Sequence, residues 1–315
     1  MRSMTASTPP SASPETTPDR LAIGAGLVCY FMWGLLPLLL IGVARAGAAP
    51  FEIVAWRTLW SVPLAALLVI VMDRGVNLRA IVVQPRAMLV LLGSSALIAV
   101  NWTVYVWAAN SGHILSASLG YYLNPLLNMA AGAVLFKERI SRSGMIAIGL
   151  AALGVALQGV ALGEFPWVSL VLAVSFCAYG IVRKGAAANA QTGLLVECLI
   201  LAIPAAAYAV WLAHAGGGVF GKSATPTLLL MLCGPATVIP LALFAFAARR
   251  LPLTVIGFMQ FLAPTLQFMV GIGEGEALTP LRIVSFGFIW AGVAVFAWAA
   301  WSRSQARTTL QPRQA

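Results

Sequence analysis

The sequence predicts an all-α integral membrane protein whose ten transmembrane helices form two inverted five-helix repeats. Three observations lead there. First, 61% of the 315 residues are hydrophobic, 29 residues are glycine and only 9% are charged. A soluble domain carries about 45 to 50% apolar residues and roughly 25% charged ones. So few charges cannot cover a water-exposed surface of this size, which excludes a soluble enzyme, a nucleic-acid module and a disordered chain. Second, the apolar residues fall into runs near the roughly 20 residues that a helix needs to cross a bilayer. Third, the chain matches itself at a recurring offset near 140 residues.

Taken in order, residues 1–19 (MRSMTASTPPSASPETTPD) are rich in Ser, Thr and Pro without an apolar period, and read as a disordered tail. The first span, 21–42, carries Tyr30, Trp33 and Pro37 at i, i+3 and i+7. Its apolar core exceeds the roughly 7 to 15 residues of a cleaved signal, so it is kept as a helix. The second span, 50–72, contains Arg57; the third, 87–108, Trp102, Tyr105 and Trp107; and the fourth, 113–136, Tyr121, Asn124, Pro125 and Asn128. The fifth, 142–160, has glycines spaced by five, which do not form a single GxxxG face. The sixth, 165–183, places Phe176, Tyr179 and Arg183 where the first places its aromatic series, and the seventh, 191–213, contains Glu197. The eighth spans 226–248, the ninth, 252–272, holds Gln260, Pro264 and Gln267, and the tenth runs 280–301. The first repeat is then 20–160, the second 161–302, and 303–315 a C-terminal tail. All four cysteines, Cys29, Cys177, Cys198 and Cys233, fall inside spans without paired spacing. They read as small buried hydrophobes, with no disulfide or metal site expected.

The net charge of +10 is read through its distribution. With a cytoplasmic N-terminus, the inside loops and tails hold Arg2, Arg20, Arg74, Arg79, Arg86, Lys137, Arg139, Arg142, Arg183, Lys184, Arg249, Arg250, Arg303, Arg307 and Arg313. Only Arg45, Lys222 and Arg282 lie outside. This asymmetry puts both termini in the cytoplasm and requires an even number of spans.

The repeat is visible residue by residue. TVYVWAAN (Thr103 to Asn110) lies over ALFAFAAR (Ala242 to Arg249) at an offset of 139, and YLNPLLN over FLAPTLQ at the same offset, aligning Pro125 with Pro264 and Asn128 with Gln267. At 138, Glu138 aligns with Glu276 and Gly154-Val155-Ala156 with Gly292-Val293-Ala294. Five spans per half is an odd number, so the second half enters from the other side. Inverted repeats of this kind are a device of secondary transporters, with a substrate site near the midplane. The segments NWTVYVWAAN, SLGYYLNPLLN, LFKERIS, SFCAYGIVRK, QTGLLVE and GFMQFLAPTLQF resemble the RarD branch, labelled chloramphenicol-sensitive proteins, of the EamA family in the drug/metabolite transporter superfamily. That resemblance, from about Leu21 to Trp301, implies a ten-helix inner-membrane exporter of amino acids or other small metabolites, and supplies no particular substrate.

At 100° per residue, Ser118, Tyr121, Asn124, Pro125 and Asn128 share one face of the fourth helix, about 120° wide. Gln260, Pro264, Gln267 and Gly271 form a matching stripe on the ninth. Polar groups in lipid must face water or another polar group, so these line a cavity or bond between helices. Pro125 and Pro264 each remove a helix hydrogen bond, making a kink for a gate or for static packing. Tyr30, Trp33, Trp102, Tyr105 and Tyr179 are the aromatic candidates for a pocket wall, the alternative being an interfacial belt. Arg57 and Glu197, equivalent at an offset of 140, are the intramembrane charges. They pair with each other or with polar neighbours, bind a zwitterion, or, for Glu197, carry a coupling proton. No catalytic triad, metal spacing or phosphate loop occurs, so no enzyme and no cofactor are expected. The expected partners are a small-molecule substrate, the lipid bilayer and, in an exchange mechanism, protons; no nucleic acid is expected. The expected function is metabolite export by alternating access. Its alternatives are a uniporter of the same fold, a lipid flippase or a membrane-embedded enzyme.

Overall fold

The computed structural model describes residues 20–73, 76–136, 141–163, 165–184, 188–248, 250–251, 255–256 and 259–309. The expected N-terminal tail, residues 310–315, Arg74, Lys137, Glu138, Arg139, Arg249 and the start of the expected ninth span lie outside these residues.

Among the described residues the secondary structure is entirely helical. In chain order the helices are α1 (Arg20–Arg45), α2 (Pro50–Asp73), a short α3 (Val76–Val82), α4 (Pro85–Asn110), α5 (Ile114–Phe136) and α6 (Arg142–Leu162). There follow α7 (Trp167–Lys184), α8 (Ala190–His214), α9 (Ala224–Leu232), α10 (Pro235–Ala248), α11 (Leu262–Gly273) and α12 (Pro280–Thr309). Seven described stretches are long and apolar enough to cross a membrane, the α9–α10 pair counting as one, and α7 and α11 are shorter apolar helices. The chain is a multi-pass membrane protein.

Local chemistry sets the helix ends. Ser141 accepts a hydrogen bond from the Gly144 amide (3.2 Å) and Asn189 from the Thr192 amide (2.8 Å), each satisfying an orphan donor of a first turn. Pro85 opens α4 at a position whose amide would have no helical partner. Gly163 closes α6 at φ +68°, a left-handed conformation that glycine adopts without strain.

Four features differ from the expected spans. α3 occupies a stretch read as loop. α12 continues to Thr309, through residues assigned to the tail. The eighth span breaks into α9 and α10 at Cys233-Gly234. There Pro235 starts a new helix, and Gly234 lies so close to the Trp60 backbone that no side chain fits between them. The ninth span is also broken. Gln260 and Phe261 form a turn ahead of α11, so Gln260 is not on one continuous helical stripe with Gln267. Pro264 falls in the first turn of α11, and the interruption lies at Gln260, the i−4 position whose carbonyl the missing proline N–H leaves without a helical partner.

Helices in lipid gain no hydrophobic attraction for one another and associate through close packing. The most extensive contacts are α6 with α12, α2 with α8, and α1 with α10, followed by α5 and α4 with α7, α1 with α11, and α5 with α11. Small residues make these approaches possible. A Cβ on Gly154 would lie 2.8 Å from the Ser285 carbonyl oxygen, and one on Gly292 would lie 2.8 Å from the Ala147 carbonyl oxygen. The Ser285 hydroxyl donates to the Gly154 carbonyl (2.7 Å) at the same crossing. Gly271 packs against Leu115, and Gly34 against Leu266.

At one end of the bundle the loops are tied together. Arg45 pairs with Glu274. Glu276 accepts from the amides of Ile114 and Leu115 at the start of α5, the latter at 3.0 Å. The buried Glu52 accepts from the amides of Val219 (2.8 Å) and Phe220 (3.1 Å), while Trp56 stacks on Phe220 with ring centroids 3.5 Å apart.

Candidate functional site

Inside the bundle, polar side chains from α2, α4, α5, α7 and α10 converge. Arg57, two turns into α2, is 4% exposed. Its Nε donates to the Thr237 hydroxyl of α10 at 2.7 Å, and its guanidinium carbon lies 4.6 Å from the centre of the Trp102 ring. The break before α10 makes this contact possible: Thr237 is in the first turn after Gly234 and donates its own proton to the Cys233 carbonyl (2.8 Å). Arg57 Nη1 is buried without a hydrogen-bond partner.

One turn along α4 from Trp102, Tyr105 is 3% exposed with an unpartnered hydroxyl. Its ring meets Tyr121 of α5 edge-on at 5.5 Å. The Tyr121 hydroxyl donates to Asn101 Oδ1 (3.1 Å), and Asn101 Nδ2 donates to the Leu172 carbonyl and the Ser175 hydroxyl of α7 (3.0 Å each). Asn101 thus joins three helices. Asn124, a turn beyond Tyr121, is buried with its Oδ1 unpartnered.

Two further groups flank this cluster. On α1, Tyr30 and Trp33 meet at 5.5 Å, and both rings contact Phe244 of α10. Gln267 of α11 donates to the Trp33 carbonyl (3.1 Å) and keeps Oε1 unpartnered. On the other flank, Glu197 of α8 accepts from Ser94 (2.5 Å) and Tyr179 (3.1 Å) and pairs with Arg183 Nε at 3.5 Å. Among the described residues no cluster of His, Cys, Asp and Glu could hold a metal. An apolar groove of about 580 Å³ between α2 and α9, lined by Trp60, Pro63, Leu64, Leu67, Leu228 and Met231, includes none of these side chains. Leu67 and Leu228 are exposed there, as on a lipid-facing surface.

Comparison with known proteins decides the family. Residues 20–159 match the model of the EamA-like transporter family. An uncharacterized transporter of Pseudomonas aeruginosa is 43% identical over 281 residues, covering 88% of this chain and 93% of the relative. The chain belongs to the EamA-like transporter family. The protein RarD of Streptomyces exfoliatus is 36% identical (90% of each chain) and that of Escherichia coli 36% identical (88% of this chain, 94% of the relative), which places this EamA-like protein with the RarD branch. A solved crystal structure matches with a TM-score of 0.60 at 19% identity, over 89% of this chain and 98% of the other, a likeness of fold alone.

In this EamA-like transporter the expected site residues divide into groups. Arg57, Trp102, Tyr105 and Tyr121 come together, with Asn124 one turn away. Tyr30, Trp33 and Gln267 form a second group, and Tyr179 joins Glu197. Asn128 is exposed, and Gln260 is half-buried in the turn before α11. Pro125 lies within a continuous α5. Glu197 does not pair with Arg57; its ionic partner is Arg183, the last residue of the expected sixth span. Sequence reasoning also passed over Ser94, Asn101, Ser175 and Thr237. Asn101 was within reach, since it lies four residues before Tyr105 on the same helical face.

Proposed function

We propose that this EamA-like protein is a secondary transporter that exports small metabolites, amino acids or related and aromatic compounds among them, across the inner membrane by alternating access. Its ten spans form two inverted repeats with both termini cytoplasmic. The observation that carries this reading is that helix contacts obey the sequence offset. Gly154 meets Ser285 while Gly292 meets Ala147, and a shift of 138 residues converts one contact into the other. Tyr122 and Phe261, equivalent at 139, stack on each other with ring centroids 6.5 Å apart. A contact that maps onto itself when the halves are exchanged is what a two-fold relation between repeats produces.

On this reading the axis passes between α5 and α11, beside the buried polar cluster. Unpartnered atoms of Arg57, Tyr105, Asn124 and Gln267 are the groups a substrate would satisfy on entry, and Trp102, Tyr121 and Trp33 supply apolar surface. The tied end, with Arg45–Glu274 and the Glu276 cap, is the periplasmic side in its closed state. Release there requires those contacts to part while the opposite end closes. A chain without a nucleotide-binding motif draws its energy from a substrate gradient or from proton exchange. The test is uptake and efflux in proteoliposomes with a panel of amino acids and aromatic metabolites, with and without a pH gradient. Movement of one or more panel members is expected, and movement of none contradicts the reading.

A further inference from the structure

We propose that Arg57 and the Tyr105 hydroxyl form a carboxylate-binding site, so that the substrate is a small organic acid or amino acid carrying one carboxylate and an apolar body. This deepens the transporter reading and rests on it.

A guanidinium stays protonated at every accessible pH, so burial cannot neutralise it and it needs either an anion or a full set of acceptors. Arg57 has neither. Its contacts are neutral, the Thr237 hydroxyl and the face of Trp102, and Nη1 is buried with no acceptor. Among the described residues no carboxylate lies within ion-pair distance of it. The carboxylates on the paired helices make other contacts: Glu52 Oε1 on α2 accepts from the Val219 and Phe220 amides while its Oε2 is buried without a hydrogen-bond partner, and Glu197 on α8 holds Arg183, Ser94 and Tyr179. The Arg57 guanidinium is therefore a buried positive charge without a direct counter-ion, and the α4 face it packs on carries a second unpartnered donor, the Tyr105 hydroxyl. Trp102 and Tyr105 are three residues apart on α4, so the ring under Arg57 and the free hydroxyl face the same side.

A guanidinium edge with a hydroxyl beside it matches the two oxygens of a carboxylate, with charge-assisted hydrogen bonds to each. One cation suits a monoanion, whereas a phosphate dianion would stay half-compensated. Trp102 and the Tyr105–Tyr121 pair supply the apolar wall for the rest of the molecule. The seat is closed in this structure, since Arg57 and Tyr105 are 4% and 3% exposed, and it opens when the helices part.

The test uses matched compounds differing only at the acid: phenylalanine against phenylalaninamide, and 3-phenylpropionate against 3-phenylpropionamide. Binding is followed by tryptophan fluorescence of the detergent-purified full chain, and counterflow in proteoliposomes. The acids are expected to bind at least about tenfold more tightly than the amides. R57Q should abolish that preference and R57K retain part of it. Y105F, which preserves the ring packing, should weaken acid binding about threefold and leave the amides unchanged. Equal binding of acids and amides by the wild-type chain overturns the carboxylate site, as does an undiminished preference in Y105F and R57Q. Should other panel compounds move while neither acid binds, the carboxylate site fails and the transporter reading stands. If nothing moves at all, both fail. An R57Q chain that elutes as aggregate leaves the decision to Y105F and to the wild-type comparison.

Discussion

Glu197 of α8 and Arg183 of α7 form an ion pair inside the bundle, with Nε 3.5 Å from Oε1 and side-chain exposures of 2% and 14%. Gly193 makes the pair possible: any side chain there would occupy the space of the Arg183 guanidinium. Ser94 of α4 and Tyr179 complete the shell around the carboxylate, so three helices meet at one buried charge. The expected role of this unit is to hold α4, α7 and α8 together.

Removing one partner strands the other charge. Arg183→Met should therefore destabilise by about 3 to 5 kcal/mol, whereas Glu197→Gln, which keeps one acceptor oxygen and can donate its amide N–H to the other hydroxyl, should cost less. Combining the two should recover part of the Arg183→Met loss, giving a favourable coupling in a double-mutant cycle. Thermal unfolding in detergent measures all four states. Additive losses would show that the pair contributes no coupling.

The α6–α12 crossing depends on having no side chain at two points. Gly154→Val should cost about 1 to 3 kcal/mol through overpacking, because the atoms it would meet include the Ser285 carbonyl. Gly149→Val in the same helix faces open space and should leave the unfolding midpoint nearly unchanged. Equal effects at the two positions would argue against this interface.

Glu276 supplies a pH dependence whose sign can be worked out. Burial pushes its carboxyl above the ordinary carboxylate range and outweighs the opposing pull of the Leu115 and Ile114 amides, Arg282 and His113. Between the ordinary value and the raised one, the folded chain keeps a proton that the unfolded chain has lost. Stability from this group is therefore present below the unfolded pKa and falls as pH rises through that window. Comparing the unfolding midpoint of Glu276→Gln with wild type across mildly acidic pH should show the wild-type advantage shrinking as pH rises. An advantage that grows instead would reverse the assignment.

Topology is accessible to labelling because Cys29, Cys177, Cys198 and Cys233 are all buried, which keeps the background low. Cysteines introduced at the exposed positions Lys222 and Thr279 should react with an impermeant maleimide in intact cells, and one at Gln84 only after permeabilisation. The reverse pattern would invert the orientation.

Helix positions were legible because each long span is an apolar run bounded by charges or by Pro and Gly. The breaks were not. Gly234-Pro235 is a helix-breaking pair set in an otherwise uninterrupted apolar stretch: Pro235 removes a helix N–H, and Gly234 fits against the Trp60 backbone. Thr237 consequently gave no sign of facing Arg57. Arg183 ends its span with Lys184 and so looked like an ordinary interfacial cation; its inward turn depends on the rotation of α7 against Gly193 of α8, which a one-dimensional pattern does not encode. The aromatic candidates fared differently. Trp102 and Tyr105 are three residues apart on α4, a spacing that puts them on one helical face, whereas the meeting of Tyr105 with Tyr121 of α5 depends on helix packing that spacing does not encode.

Under the proposed alternating access, passage requires the two halves to part at the end closed by Arg45 and Glu274. Arg45→Cys with Glu274→Cys, joined by a short bis-maleimide in proteoliposomes moving a panel compound, tests it directly. Cross-linking should stop transport, while a monofunctional maleimide on the same double variant leaves it running. Undiminished transport by the cross-linked chain would contradict alternating access at this gate.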